Sequence, residues 1–207
     1  MIALYRRRIS NLGFNPTAMF DATAQQHAKK LSFYAGLLIE LDQHTSVLDV
    51  GCGYGALLDY WQPRGEYLGI DVVDQFIVEA ELRHPDRIFR CATVEALAEK
   101  YDVTVLAGVL SSTPDPLSLL CVALRRADKE TLFDITIGDR LPPEYLDLNR
   151  ITVEEVQDVV AREGMDLLGP FDLGESWVLF RARRPGASGA ERPDNVDGTF
   201  PAPRGST

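Results

Sequence analysis

The sequence predicts an α/β protein, a parallel sheet with helices on both faces and an antiparallel hairpin at one edge. Three observations carry this. From about residue 46 to residue 164, short strand-like segments alternate with helix-like segments, and such alternation makes successive strands parallel, with crossover helices covering the sheet. The alternation then breaks, and "MDLLGPFDLGESWVLFRARR" reads as two consecutive strands turning near Leu173-Gly174, the pattern of a hairpin. Finally, 207 residues with 45% apolar and 25% charged composition suit one domain with a sizeable core.

The elements follow in order. "TAQQHAKKLSFYAGLLIELD" combines helix formers with an apolar stripe through Leu31, Tyr34, Leu38 and Leu41, which predicts a helix over 22–42. "SVLDV" is a first strand, and "ALLDYW" opens a helix. "EYLGID" is a second strand, followed by the helix "DQFIVEAELRH" with Asp74 as its cap. "RIFRC" is a third strand, "VEALAEK" a short helix and "YDVTVLAG" a fourth strand. "DPLSLLCVALRRA" is a helix with Pro116 in its first turn. "ETLFDITIG" is a fifth strand. "ITVEEVQDVVAREG" is a helix opened by a Thr152–Glu155 capping box and stopped by Gly164. The domain therefore covers 1–184, with an N-terminal helical cap over about 1–42. Residues 185–207 are rich in proline and glycine, with Phe200 their one large apolar residue. They cannot bury enough surface to offset chain entropy and are expected to be disordered.

Composition narrows the function. A net charge of −10 argues against nucleic-acid binding, which usually needs a basic face. Arg6-Arg7-Arg8 reads as a solvated N-terminal face. No apolar run approaches the ~18 residues of a membrane span, and no signal peptide is visible. Cys52, Cys91 and Cys121 lack both a disulfide framework and the paired spacing of a zinc site. A cytoplasmic protein with reduced thiols is expected. No feature speaks to oligomeric state.

The informative stretch is "VLDVGCGYGALLDYW". A buried strand ends near Asp49, and Gly51, Gly53 and Gly55 follow. Glycine lacks Cβ, so the loop turns tightly and admits a ligand against the backbone. Open α/β sheets bind ligands beyond the carboxyl ends of their strands, where this loop falls. Two cofactors compete. "GCGYGA" fits G-x-G-x-x-G/A, with Asp71 about 20 residues further on, which suits a dinucleotide such as NAD. Asp49, however, brings negative charge towards a pyrophosphate. S-adenosylmethionine (SAM) has no phosphate and carries an ammonium and a sulfonium, so an acid there is favourable. Asp71 can then accept both ribose hydroxyls.

"VLDVGCGYG", "YLGIDVVDQFIVEA" and "YDVTVLAGVL" resemble, in sequence and spacing, the class I SAM-dependent methyltransferases. The resemblance covers about 45–182. "LGFNPTAMFDATAQQHAKKLSFYAGLL" is similar to the cap of small bacterial members. The resemblance implies a Rossmann-like seven-stranded sheet with the seventh strand inserted antiparallel. It also implies residue roles. Gly51, Cys52, Gly53 and Gly55 would lie under the methionine and ribose, and Asp49 would orient the amino group. Asp71 would take the ribose, and Val72 would pack on adenine. Ala92 stands where the family often has an acid for the adenine amino group, which leaves that contact to Ala92 and Thr93. Glu95 lies too far along to align with it. Ala107 and Gly108 would offer carbonyls to the methionine end. The product would be S-adenosylhomocysteine (SAH).

Methyl transfer from a sulfonium is an in-line displacement with an excellent leaving group. Alignment and exclusion of water dominate, and a base is needed only where the nucleophile must lose a proton. "AGVLSSTPD" lacks the Asn/Asp-Pro-Pro-Tyr/Phe signature of amino methyltransferases acting on DNA bases, and no metal constellation is visible. A small-molecule acceptor, with a nucleophilic oxygen, nitrogen or carbon, is expected. His27 is the candidate base. Tyr34, Ser111, Ser112, Arg140 and Tyr145 are candidates to face the substrate, and the cap around 14–34 reads as a lid. The alternatives are a methyltransferase-like protein that binds SAM or SAH without turnover and, behind it, a NAD-dependent enzyme.

Overall fold

The computed structural model describes residues 2–15, 23–41, 44–136, 151–174 and 177–187. Its elements run α1 (Ile2–Leu12), α2 (Ala24–Ile39), β1 (Val47–Val50), β2 (Tyr67–Asp71), α3 (Asp74–Arg83), β3 (Ile88–Cys91), β4 (Tyr101–Leu106), α4 (Pro116–Arg126), β5 (Ala127–Thr136), α5 (Val153–Arg162), β6 (Asp166–Gly174) and β7 (Trp177–Arg183). All seven strands join one sheet in the order β3-β2-β1-β4-β5-β7-β6. Strands β1 to β5 pair in parallel. β7 runs antiparallel between β5 and β6. The expected hairpin therefore turns inward, with its second strand inserted and its first at the edge.

The sheet separates two cores. On one face, α2 and α3 cover Val47, Tyr67, Val105 and Leu132; on the other, α4 and α5 cover Leu48, Ile70, Leu106 and Phe133. The alternation of neighbouring residues between the faces is the period of a strand buried on both sides. Phe133 and Phe180, paired across β5 and β7, stack at 5.6 Å within the second core.

Several local expectations hold. Thr152 and Glu155 form a reciprocal capping box at α5. Asp115 caps α4 by accepting from Ser118 N, with Pro116 in the first turn. Others do not hold. "ALLDYW" makes one 3₁₀ turn, Ala56–Asp59, rather than a helix. Only seven residues separate that turn from β2, and Pro63 among them disfavours helical geometry in its predecessor. "VEALAEK" is likewise a 3₁₀ turn, Val94–Ala96. Asp74 is the first residue of α3 and not its cap. Val73 holds that position, and Asp74 instead accepts from Arg6, 3.0 Å away. The N-terminal arginines lie on a separate helix, α1, within the stretch expected to form the helical cap.

Two contacts fix the cap helix α2 to the sheet. Thr23 caps its start by accepting from Gln26 N. Tyr34, fully buried, donates to Asp134 on β5 at 2.6 Å and lies 3.2 Å from the Leu106 carbonyl. A buried hydroxyl that reaches partners on two strands makes α2 part of the core rather than a loose cover.

Candidate active site

The carboxyl ends of β1, β2 and β4 open into a cavity of about 780 Å³, within the size range of small-molecule sites. The glycine loop forms its floor. Gly51, Gly53 and Gly55 all adopt left-handed backbone, with φ of 72°, 54° and 78°, a region that other residues enter only at a cost. A Cβ on Gly51 would stand 2.6 Å from Val109 Cγ2, so the loop packs too closely for any side chain there. Gly51 N and Cys52 N both donate to the Ile70 carbonyl, pinning the loop to β2. Gly51 and Cys52 line the cavity, whereas Gly53 and Gly55 stand behind its wall and shape the turn.

Asp71 closes the loop. Its Oδ2 accepts from Gly53 N at 3.1 Å and its Oδ1 from Val73 N at 2.8 Å. Each carboxylate oxygen offers two lone pairs, so each keeps one for a ligand hydroxyl. Burial raises the Asp71 pKa, and the backbone donors oppose that rise. Asp49 is buried more deeply, 2% exposed, and accepts from the Tyr67 hydroxyl at 2.8 Å. Burial pushes its pKa up to about 7, the Tyr67 hydrogen bond opposes the shift, and the Asp71 charge adds to it. Two carboxyls thus share the cavity wall, and a cation there would relieve both.

The other expected residues divide. Val72, 44% exposed, presents its side chain to the cavity, beside Ala92 and Thr93. Ala107, Gly108, Ser112 and His27 also line it. Tyr34 does not: it is fully buried beneath α2, bound to Asp134, and a substrate-facing role for it is withdrawn. Ser111 is also withdrawn, since its hydroxyl is buried against Thr136 Oγ1 at 2.5 Å. Arg140 and Tyr145 lie outside the described residues. Among the described residues no group of His, Cys, Asp or Glu is placed to hold a metal.

The sequence reading missed several contributors. Lys30, one helical turn after His27, lines the cavity and is only 8% exposed. Its signal was the three-residue spacing from His27, which puts both on one helix face. Glu95, set aside for its spacing, also lines the cavity, as does Tyr5 of α1. Tyr67 bears on the site only through Asp49, and no local pattern announces that.

A doubly covered parallel sheet, a strand ending in an acid, a left-handed glycine loop and a second acid on the neighbouring strand define a Rossmann-like nucleotide-type site. Comparison with known proteins sharpens this. The family description "Methyltransferase domain" matches residues 48–131. The chain is 30% identical to the ubiquinone biosynthesis O-methyltransferase of Nitrosomonas europaea, covering 64% of this chain and 60% of that protein. Among solved structures it is similar to magnesium protoporphyrin IX methyltransferase from Synechocystis PCC 6803 with bound SAH, at TM-score 0.69 and 15% identity over 88% of this chain and 93% of that one. It is also similar to the [4+2]-cyclase SpnF, at TM-score 0.61 and 16% identity over 79% and 84%. Residues 48–131 thus match a methyltransferase domain, and the fold is the one seen in solved SAM-dependent methyltransferases. The chain spans about half the length of the curated relatives it matches. The likeness to SpnF is one of fold, and a fold does not fix the reaction. No helix among the described residues is long and apolar enough to cross a membrane.

Proposed function

We propose that this chain binds SAM in the cavity and transfers its methyl group to a small-molecule nucleophile, leaving SAH. The observation that carries this reading is the pair of buried carboxyls flanking the glycine loop. Asp49, with a pKa near 7, gains from a cationic ligand and would repel a pyrophosphate, which disfavours NAD. The ubiquinone biosynthesis O-methyltransferases among the relatives support a small-molecule acceptor.

When bound, SAM supplies an electrophilic methyl on a sulfonium. The chain's own residues then do the rest. Asp71 offers one free lone pair from each oxygen to the ribose hydroxyls. Val72, Ala92 and Thr93 wall the adenine end, with Tyr5 above. Asp49, Ala107 and Gly108 take the methionine amino group, and Gly51 and Cys52 lie beneath it. Ser112 faces the acceptor side. Apolar walls exclude water, so that alignment accounts for most of the acceleration. Where the nucleophile carries a proton, His27 on the cavity wall accepts it in this reading. In the same reading the protein is cytoplasmic, needs no metal and acts on neither nucleic acid nor membrane.

Native mass spectrometry of the purified chain tests the reading. Retained SAM or SAH is expected, and a retained dinucleotide would refute it.

A further inference from the structure

One carboxylate oxygen, Oδ1 of Asp134, joins the cap helix to the cavity wall. Asp134 lies on β5 with no exposure, behind the wall rather than on it. Its Oδ1 accepts from the Tyr34 hydroxyl of α2 at 2.6 Å and from Gly108 N at 2.7 Å. Both lone pairs of that oxygen are thereby used, by donors 100 and 26 positions earlier in the chain. Burial, and then the Asp134 charge, push the Tyr34 pKa well above its ordinary value, so the hydroxyl keeps its proton and stays a donor. Short hydrogen bonds to a carboxylate are strong ones.

The bond to Gly108 falls where the chain leaves β4, and Ala107 and Gly108 both line the cavity. Gly108 takes left-handed backbone, with φ of 76°, and a Cβ on it would stand 2.7 Å from Lys30 Nζ. The turn is therefore closely packed on both sides. A trans peptide is planar, and its N–H and C=O point in opposite directions. Holding Gly108 N on Asp134 thus turns the Ala107 carbonyl of the same peptide away from Asp134. Through Tyr34 the same oxygen also sets α2, the helix that carries His27 on the cavity wall.

We propose that Asp134 is a positioning residue of this cavity: one oxygen, shared by Gly108 N and the Tyr34 hydroxyl, presets the Ala107 carbonyl for a ligand's ammonium and locks it in register with α2. Asp134 itself touches no ligand. The carbonyl is already oriented when the ammonium arrives, which spares the cost of ordering the loop on binding. The inference rests on the proposed cofactor site.

The test compares, by calorimetry on the full chain, SAH with its desamino analogue, in which hydrogen replaces the amino group. Wild type is measured beside Asp134→Ala and Asp134→Asn. Wild type should prefer SAH by at least about tenfold, the worth of one hydrogen bond to a charged group. Asp134→Ala should lose most of that preference. Asp134→Asn, whose amide oxygen accepts the same two bonds, should keep it. A merely structural role would weaken both ligands alike, and an unchanged ratio in folded Asp134→Ala overturns the inference. So does a wild type that binds the two ligands equally. Should Asp134→Ala not fold, amide hydrogen exchange at Gly108 in wild-type protein decides. Slow exchange before SAH is added supports the preset carbonyl, and fast exchange that only SAH slows overturns it. Failure of wild-type protein to bind either ligand overturns the cofactor reading itself.

Discussion

Carboxyl groups are buried in both halves of the sheet, but in opposite company. In the β5–β7 half, Glu130 is 3% exposed and meets Arg181 at 2.5 and 3.1 Å and Arg183 at 3.0 Å. Arg181 also faces Glu40 at 3.5 Å. Each charge of that cluster faces a counter-charge, while Asp134, also buried on β5, accepts from the Tyr34 hydroxyl and Gly108 N. In the β1–β2 half, Asp49 and Asp71 are buried too, and their hydrogen bonds come from a hydroxyl and from backbone N–H groups. The first cluster is complete within the fold. Among the described residues the second makes no ion pair, and burial raises both of its pKa values. A buried carboxyl left without a cation is the mark of a site awaiting one.

The largest effect comes from breaking the complete cluster. Glu130→Gln takes the shared carboxylate from the buried Arg181, which keeps only the more distant Glu40, and from the half-buried Arg183, and should cost about 3–5 kcal/mol of stability. Denaturant unfolding measures it. A cost below about 1 kcal/mol would make the two halves alike and undo the contrast.

Next comes Asp71→Ala. Each hydrogen bond from a ribose hydroxyl to a charged acceptor is worth roughly 1.5–3 kcal/mol. SAH affinity should fall at least about tenfold, one decade being 1.4 kcal/mol. The loop also loses its ties from Gly53 N and Val73 N, so the fold should survive with modestly lower stability. Unchanged affinity in a folded variant would remove Asp71 from the site.

A smaller effect sharpens the question of a lid. The sequence suggested that the whole stretch around 14–34 closes over the ligand. Tyr34 binds α2 to β4 and β5, which leaves α1 as the element free to respond. α1 is held by the exposed Arg6–Asp74 pair and by Tyr5 and the following Phe14 against Phe76. Hydrogen exchange should slow in 2–12 on adding SAH, with little change in α2. Equal slowing in both would restore the larger lid. The smallest effect is expected from deleting 188–207: the melting temperature and SAH affinity should stay unchanged, and a drop of several degrees would show that the segment docks.

Much of this was legible because it is local. The acid–glycine–acid order, the capping box at Thr152 and the strand–helix alternation all lie within short windows. What escaped depends on distant residues. Tyr34 carries the helix stripe of a core residue, and only the fold reveals that Asp134, 100 positions away, holds it there. Lys30 and Glu95 turn into the cavity through the placement of α2 and the turn after β3. The short 3₁₀ turn at Ala56 reflects the distance left to β2, which propensity does not encode.

The central claim is that Asp49 awaits a cation, and its titration tests this most directly. Burial raises its folded pKa from 3.8 to about 7, so the free protein takes up a proton that the unfolded chain lacks between those values. Its stabilising contribution is present below pH 4 and lost as pH rises through about 7, a swing of up to about 4 kcal/mol at 1.36 kcal/mol per unit. Asp49→Asn removes that loss, and the variant should gain stability over wild type at pH 8 but not at pH 4. A cationic ligand favours the ionised carboxyl, so binding releases a proton and tightens as pH rises. Calorimetry of wild-type protein at pH 6 and pH 8, with SAH and with NAD, is the decisive measurement. The account predicts about tenfold tighter SAH binding at pH 8, with that pH dependence absent in Asp49→Asn and no binding of NAD. SAH affinity independent of pH, or binding of NAD alone, would contradict it.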